Sequence, residues 1–137
     1  MPPLSECVRF YHKHQPFYEF TNFYHAPFWL DGILWPTSEH FFQASKFWNR
    51  DVFSRIKRLD WEEVKEAIMR RALIAKFQTH SILRHKLLAT CNARLVEHTY
   101  NDRYWGDGGD GTGRNRLGKL LLDVRQKLAS DMDLCKL

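Results

Sequence analysis

Three polar residues, Glu39, Gln43 and Lys46, recur at helical spacing in a stretch that is otherwise rich in aromatic residues. At about 100° per residue they fall within an arc of about 60° on one helix face, flanked by Phe42 and Phe47. Such a stripe either faces solvent with a helical ion pair or lines a pocket walled by aromatic rings. In a pocket, burial and neighbouring charges tune carboxylates and amines to act as acids, bases or nucleophiles.

A glycine-rich segment, residues 106–113, is the second region that could do chemistry, because five of its eight residues are glycine. Glycine lets the backbone approach a ligand closely. A helix start with unpaired N–H groups follows, and Arg114 and Arg116 add positive charge, so the segment predicts a phosphate cradle. The alternative interpretation is a flexible surface connection. Residues 106–111 match GxGxxG as a string, but no buried strand precedes them in a βαβ unit, so a dinucleotide-binding fold is rejected.

Other chemistries lack their signatures in this chain. His12 and His14, like His80 and His85, have neither an HExxH pattern nor a cysteine partner, so no zinc site is expected. The spacing of the acids in residues 107–110 does not fit an EF-hand. There is no GxSxG elbow, and no cysteine lies in a recognisable nucleophile signature.

The composition predicts one domain that spans residues 1–137. This length suits a single core, and the chain has ample apolar material for it, with 44% hydrophobic and 15% aromatic residues. The formal net charge of +5 attracts anions. Because Lys and Arg are interleaved with acids, as in residues 60–76, rather than clustered, a small phosphorylated ligand fits this charge at least as well as nucleic acid.

No segment of the sequence indicates export or a membrane. The three cysteines, Cys7, Cys91 and Cys135, are far apart and form no CxxC pair, as expected for reduced thiols. No apolar run reaches the roughly 18 residues of a membrane span, and the first residues lack the apolar region of a signal peptide. We therefore expect a soluble, cytoplasmic protein with no membrane partner. We also expect it to be a monomer.

The elements that must position the polar stripe can be predicted from turn and cap signals. Two apolar runs around Asp31-Gly32, within residues 27–35, predict a small hairpin with a type I′ turn. Thr37 or Ser38 is the expected N-cap of a helix that runs to about Trp48. A second helix should begin at Asp60, where residues 60–63 have the form of a capping box.

The second half of the chain predicts further helices around one short extended piece. Its expected elements are a helix over Ser81–Ala89, an extended pair Leu95-Val96, the loop 106–113 and an amphipathic helix over Leu117–Leu128. The fold class is therefore mainly α, with a small β-hairpin near the N-terminus.

Two long motifs, in order along the chain, resemble the signatures of the NADAR superfamily. The N-terminal motif is FTNF at 20–23 with WPTSEHFFQASKF at 35–47. The C-terminal motif is LVEHT at 95–99, ND at 101–102, YWGDGG at 104–109 and GRNRLG at 113–118. WEEVK at 61–65 and MRRAL at 69–73 resemble the middle helix of that family. The resemblance covers nearly the whole chain from Phe17 onward.

This resemblance implies a mainly helical, YbiA-like single-domain fold and an N-glycosidase that cleaves ribose–nitrogen bonds without a metal or cofactor. Members of the YbiA type act on early, reactive intermediates of riboflavin synthesis. Each of these is a pyrimidine joined through nitrogen to ribose 5-phosphate. The implied partner is thus a small phosphorylated ribosyl substrate.

The resemblance also assigns roles to residues by motif position. The catalytic candidates are Glu39, Lys46 and Asp102. A carboxyl group would protonate the departing nitrogen or stabilise the sugar cation, and Lys46 would attack the ring-opened ribose to form a Schiff base. The candidates for substrate binding are Asn22, Gln43, Trp61, Trp105, Gly106, Asp107, Arg114, Asn115 and Arg116.

Three other functions remain as alternatives. Some NADAR branches remove ADP-ribose from guanine, and in that case nucleic acid would be a partner only as the modified substrate. A non-catalytic module that binds a nucleotide or ADP-ribose is the second. It is favoured by one departure from the family pattern, since the chain between Phe47 and Trp61 is shorter by roughly a helix and its loops. The third, a plain nucleic-acid binder, predicts an affinity that falls steeply with salt.

Overall fold

Four short strands and four helices of 7 to 20 residues make up the described part of the fold. The structure, a computed structural model, describes residues 7–47 and 58–135. Within these residues it contains four strands, four α-helices and one 3-10 turn. In chain order they are β1 (Cys7–Phe10), the 3-10 turn (Tyr18–Phe20), β2 (Phe28–Leu30), β3 (Ile33–Trp35), α1 (Ser38–Ala44), α2 (Trp61–Thr79), α3 (Ser81–Leu88), β4 (Arg94–Glu97) and α4 (Arg116–Cys135). The predicted mainly helical class is confirmed.

The strands form two separate pairs. β1 and β4 are parallel, with Cys7 opposite Arg94 and Phe10 opposite Glu97. Parallel neighbours need a long crossover, and here the intervening strands and helices α1–α3 supply it. The pairing brings the N-terminal part of the chain beside the end of β4, and this is where Glu97 lies.

β2 and β3 pair antiparallel across Asp31 and Gly32. Both of these residues have positive φ, 54° and 77°, which is the backbone that a type I′ turn requires and that glycine adopts without strain. Trp35, at the end of β3, packs edge-on against Phe41 with ring centroids 5.4 Å apart. The strand pair therefore leads directly into the first turn of α1.

Helix α1 starts as predicted, because the side chain of Thr37 accepts a hydrogen bond from the His40 backbone N–H. Its predicted end near Trp48 is wrong: the helix ends at Ala44, and Trp48 itself lies outside the described residues. Ser45 is buried, and its hydroxyl donates to the Phe41 carbonyl at 2.7 Å. This side-chain bond competes with the backbone hydrogen bonds that would continue the helix. The next two residues instead donate to carbonyls three residues back, which is the tighter 3-10 pattern.

Helix α2 begins at Trp61, as expected from Asp60, but the predicted capping box is wrong. The Asp60 side chain makes no cap bond to the helix and accepts both Nε and Nη2 of Arg58 at 2.9 Å instead. A bidentate guanidinium is a stronger partner for a carboxylate than a backbone N–H. Arg58 thereby holds the segment that enters α2.

The core lies between α2 and the elements around it. α2 packs against α1, α3, α4 and β2, and α4 packs against β4. The buried apolar residues of α2 and α4 meet there: Ile68, Met69, Ala72, Leu73, Phe77, Leu117, Leu120, Leu121, Val124 and Leu128. Over the described ranges, no helix combines the length and apolar composition needed to cross a bilayer.

One charged residue, Lys76 of α2, lies inside this core at 0% exposure. Its Nζ donates to the carbonyl oxygens of Glu19 and Thr21 at 2.7 and 2.8 Å. The lysine thus ties α2 to the segment that precedes Asn22. We expect Lys76→Met to lower the free energy of unfolding by about 2 kcal/mol, because two buried carbonyls lose their donor. Urea unfolding of both proteins measures this difference.

The same lysine makes stability depend on pH. Burial lowers the pKa of Lys76 to about 7, below its ordinary value of 10.5. Between these two values the unfolded chain binds more protons than the folded one, so the stability of the wild type rises with pH across this window. In the Met variant that rise is absent. Equal pH slopes for the two proteins between pH 7 and 10 would contradict this assignment.

Candidate functional site

A cleft of about 220 Å³ opens where α1, the end of β4 and the loop after β4 meet. Its walls combine charged, amide and aromatic side chains. The lining residues are Asn22, Phe23, Glu39, Phe42, Gln43, Lys46, Met69, Glu97, Asp102 and Trp105. The three predicted catalytic residues thus share one cleft, although Asp102 lies far from Glu39 and Lys46 in the sequence.

The α1 wall of the cleft is built by Glu39 and Gln43. The Gln43 amide donates to Oε1 of Glu39 at 2.6 Å, as the one-turn spacing of the two residues allows. The carbonyl of Asn22 accepts the Glu39 backbone N–H at 3.1 Å, and its side-chain oxygen accepts the Ser38 hydroxyl at 2.7 Å. Asn22 therefore holds the first turn of α1 in place and is itself part of the cleft lining.

Lys46 lies in the turn after α1, so the prediction that all three polar residues share one helix is wrong for Lys46, because the helix ends at Ala44. Its Nζ is 5.5 Å from the centre of the Phe42 ring and 5.8 Å from that of Trp61, and both ring faces attract a positive charge. Its carbonyl accepts the Arg58 N–H at 2.8 Å, which holds the turn in place. The amine is therefore directed into the cleft by aromatic contacts on one side.

Three aromatic rings form a continuous wall. Phe42 lies between Trp61 and Trp105, with ring centroids 4.9 and 5.3 Å away. Trp105 faces the cleft, whereas Trp61 backs it from behind Phe42 and Lys46 and is outside the lining. Flat heterocycles stack on such rings, so this wall suits the base of a nucleoside-like molecule.

Asp102 belongs to the loop after β4, and hydrogen bonds hold its side chain in one position at the cleft. Its Oδ1 accepts the backbone N–H groups of Tyr104 and Trp105 at 2.8 and 2.7 Å. The Asp102 carbonyl also accepts the N–H of Gly108 at 3.0 Å. These bonds fix the carboxylate and set the start of the segment that carries Trp105.

Glu97 is a functional candidate that the sequence-based prediction did not include. It ends β4, is 6% exposed and lines the cleft. Burial, together with the negative charges of Asp102, Glu39 and Asp107, raises the pKa of Glu97 to about 8. An acid that follows the apolar pair Leu95-Val96 was a weak signal for this, because a carboxylate at the end of a buried strand is unusual. Phe23 and Met69 were also missed.

The lining of the cleft is acidic. Among its described members, Glu39, Glu97 and Asp102 carry carboxyl groups and Lys46 carries the one ammonium. Such an arrangement stabilises a cation at its centre and repels a phosphate from it. A phosphorylated ligand would therefore keep its phosphate at the rim.

The predicted phosphate cradle lies next to the cleft but outside its lining. In the glycine-rich loop, Asp107 accepts bonds from His98 Nδ1 and from the N–H groups of Thr99 and Gly109, at 2.7, 3.1 and 2.8 Å. Burial opposes ionisation of Asp107, but these donors outweigh it and lower its pKa. The loop N–H of Gly109 is thus already engaged within the protein, and Gly106 is buried behind it.

The residues after the loop have mainly internal partners. Arg116 donates to Glu66 of α2 at 2.6 Å, and Asn115 bridges the Glu97 N–H and the Leu95 carbonyl at 3.0 and 2.9 Å. Arg114 is exposed, with its guanidinium 5.6 Å from the centre of the Tyr104 ring. All three lie outside the lining, and their predicted binding of substrate stays a prediction.

Comparison with known proteins agrees with this architecture. The family model of the NADAR domain matches residues 53–129. N-glycosidase YbiA of Escherichia coli K12 is 46% identical, in an alignment that covers 89% of this chain and 88% of that protein. An N-glycosidase of Nostoc punctiforme is 34% identical, covering 93% and 96% of the two chains. A chloroplastic riboflavin biosynthesis protein of Zea mays is 32% identical, with 93% of this chain matched to 26% of its length.

The fold is similar as well. The NMR structure of E. coli YbiA superimposes with a TM-score of 0.82, covering 92% of this chain and 86% of that one. The predicted family resemblance is confirmed by sequence and by structure. This chain belongs to the NADAR domain family and has a YbiA-like fold.

Proposed function

We propose that the protein is an N-glycosidase that hydrolyses the ribose–nitrogen bond of phosphorylated ribosylamino compounds, with the early intermediates of riboflavin synthesis as its substrates. The observation that carries this proposal is the meeting of Glu39, Lys46 and Asp102 in one acidic cleft with an aromatic wall. The curated names of relatives, N-glycosidase and riboflavin biosynthesis protein, support the same reaction and the same pathway.

The acidic lining suits the chemistry of this bond. As the C1′–N bond breaks, positive charge develops on the sugar, and carboxylates beside it lower the barrier. Water attacks C1′ and gives its proton to Glu39 or Asp102, while the departing nitrogen receives a proton from an acid. The products are the free amine of the base and ribose 5-phosphate. No metal or cofactor takes part in the proposed route.

Lys46 offers a second route for a ribosylamine. Such a compound opens to an imine at C1′, and the Lys46 amine can displace the leaving amine to form a protein–sugar Schiff base. Water then restores the lysine and releases the sugar aldehyde, so the overall products are unchanged. Borohydride would trap the intermediate as a stable adduct on Lys46, detectable by mass spectrometry. Turnover without any trapped adduct would favour direct hydrolysis by the carboxylates.

Arg114 is the proposed contact for the phosphate. It is exposed and lies near the ring of Tyr104, which packs against Trp105 of the cleft lining. Its guanidinium can form a bidentate contact with a phosphate. We expect Arg114→Gln to raise KM about tenfold for a ribose 5-phosphate substrate, consistent with the loss of one charge-assisted bond. KM for the dephosphorylated ribosyl compound should not change. Arg94→Gln, which removes an exposed arginine from β4, is the control.

A second candidate is hydrolysis of ADP-ribose from guanine. A groove of about 640 Å³, lined by Lys13, His14 and His25 among others, shares Phe23 with the cleft. Such a groove has the size to hold an adenosine, and Lys13 is its one formal positive charge among the described lining residues, which also include the carboxylate of Glu19. Together the groove and the cleft could hold a larger substrate than the cleft alone, and this favours ADP-ribose.

The decisive experiment compares two substrates at equal concentration. Purified protein is incubated with a phosphoribosyl-aminopyrimidine and with ADP-ribosylated DNA, and the released base, ribose phosphate or ADP-ribose is quantified. We expect release from the first. Faster release from the second would favour the alternative, and tight binding of both without turnover would overturn the enzymatic proposal. In this proposal the protein works as a cytoplasmic monomer, which size-exclusion chromatography with light scattering can check.

A further inference from the structure

We propose that Glu97 is the general acid of the cleft and gives its carboxyl proton to the nitrogen that leaves the sugar. This inference rests on the proposed N-glycosidase function and adds to it the one role that Glu39, Lys46 and Asp102 leave open. A proton donor must hold its proton in the resting enzyme, must reach the bond and must be fixed in place. Glu97 meets each of these three conditions.

The position of Glu97 is fixed by its backbone. Its N–H donates to Oδ1 of Asn115 at 3.0 Å, and its carbonyl accepts the Asp107 N–H at 2.9 Å. On the other side it lies opposite Phe10 in the parallel β1–β4 pair. The side chain therefore starts from a rigid strand end and points into the cleft, where it is part of the lining. A preorganised acid loses little entropy when the substrate binds.

The charges around Glu97 favour its protonated form. Glu39 faces it from α1, and Asp102 and Asp107 face it from the loop after β4. Lys46 is the ammonium of the described lining, and Met69 of α2 is apolar. His98 is paired with Asp107. Burial of Glu97 and the three like charges all oppose its ionisation and bring its pKa to about 8.

The other two carboxyl groups of the lining are arranged as acceptors. Asp102 accepts two backbone N–H groups, and Glu39 accepts the Gln43 amide. Where one site holds carboxyl groups whose environments favour different protonation states, the protonated group acts as the acid and the ionised one as the base. Glu97 is thus the proton donor, and Glu39 or Asp102 receives the proton of the attacking water.

The proposed step balances as follows. The Glu97 O–H bond breaks as its proton passes to the departing nitrogen, and the electron pair of the C1′–N bond stays with that nitrogen. Water forms the new C1′–O bond and loses a proton to Glu39 or Asp102. That proton returns through solvent to the Glu97 carboxylate, and the enzyme is ready for another turnover.

The test combines pH–rate profiles with a direct titration of Glu97. For wild-type protein acting on the phosphoribosyl-aminopyrimidine, we expect kcat to fall above about pH 8, because the acid is then ionised. Glu97→Gln, which keeps the shape but holds no transferable proton, should lower kcat at least about 100-fold and remove this alkaline limb. Glu97→Asp should lower kcat less and keep the limb. Glu63→Gln, an exposed carboxylate on α2, is the matched control.

A carbon-13 NMR titration of labelled glutamate carboxyl groups, assigned with the Gln variant, reports Glu97 without any substrate. We expect a midpoint near pH 8; a midpoint near the ordinary value of a glutamate would overturn the inference. Full kcat in Glu97→Gln would overturn it while leaving the N-glycosidase intact. If the wild type cleaves no ribosyl compound, the proposed function fails instead. Should the Gln variant not fold, undiminished kcat in Glu97→Asp contradicts the role.

Discussion

Replacing Glu39 by Gln lowers kcat/KM for the ribosyl substrate by about 1,000-fold, since a positioned carboxyl group contributes on the order of 10²–10⁴ to such reactions. Glutamine has the same shape but can neither accept a proton from water nor balance the charge on the sugar. Stability should change little, because Glu39 is half-buried at the cleft and Gln43 can still bond to an amide oxygen. Initial rates of base release and thermal unfolding measure the two effects.

The matched control for this variant is Glu63→Gln, which removes an exposed carboxylate from α2 and should keep the wild-type rate. Lys46→Met extends the test to the other end of the stripe. Methionine keeps the contacts with Phe42 and Trp61 but loses the amine, so a comparable loss of rate is expected. If the Glu39 and Lys46 variants both retain full activity, the cleft is not the active site.

Substituting Gly118 by Ala should lower the free energy of unfolding by about 3 kcal/mol, the upper part of the range for overpacked interiors. Gly118 lies in the first turn of α4, where a Cβ would come within 1.9 Å of the Leu95 carbonyl oxygen and 2.5 Å of the Asn115 amide. The oxygen belongs to a backbone strand and cannot move aside by a side-chain rotation. Helix α4 must therefore shift away from β4.

This shift also reaches the candidate site. Asn115 joins Leu95 and the Glu97 backbone, so moving α4 loosens the support of Glu97. We expect a fall in the melting temperature of roughly 10 °C, judged from the size of the chain, together with reduced kcat. Lys119→Ala, at the next and exposed position, should leave both unchanged. A Gly118→Ala protein with wild-type stability would show that α4 and β4 are less closely packed than the structure indicates.

Local features could be predicted because neighbouring residues decide them. The Thr37 cap, the positive φ angles at Asp31-Gly32 and the helical spacing of Glu39 and Gln43 depend on bonds within a few residues. The same holds for the motifs that identify the family. Wrong local predictions have local causes too, such as the Ser45 hydroxyl that helps to end α1 at Ala44.

Partners that are distant in sequence could not be predicted. Arg116 was predicted to bind phosphate because a positive charge beside a glycine loop suits an anion. In the structure its guanidinium forms an ion pair with Glu66. A charged side chain pairs with an opposite charge that folding brings close to it. The order of residues along the chain does not show which charge that is.

The amino-acid sequence by itself determined the family, the mainly helical class and the one-turn spacing of Glu39 and Gln43 on α1, because periodicity and motifs are properties of the linear chain. Only the tertiary structure decided that these two residues and Lys46, in the turn after α1, meet Asp102 in one cleft and that Glu97 is buried beside them. Burial and Coulomb repulsion come from groups that folding brings together, and both act through space. The proton affinity of Glu97, and with it the proposed division of labour among the carboxyl groups, is therefore a property of the fold.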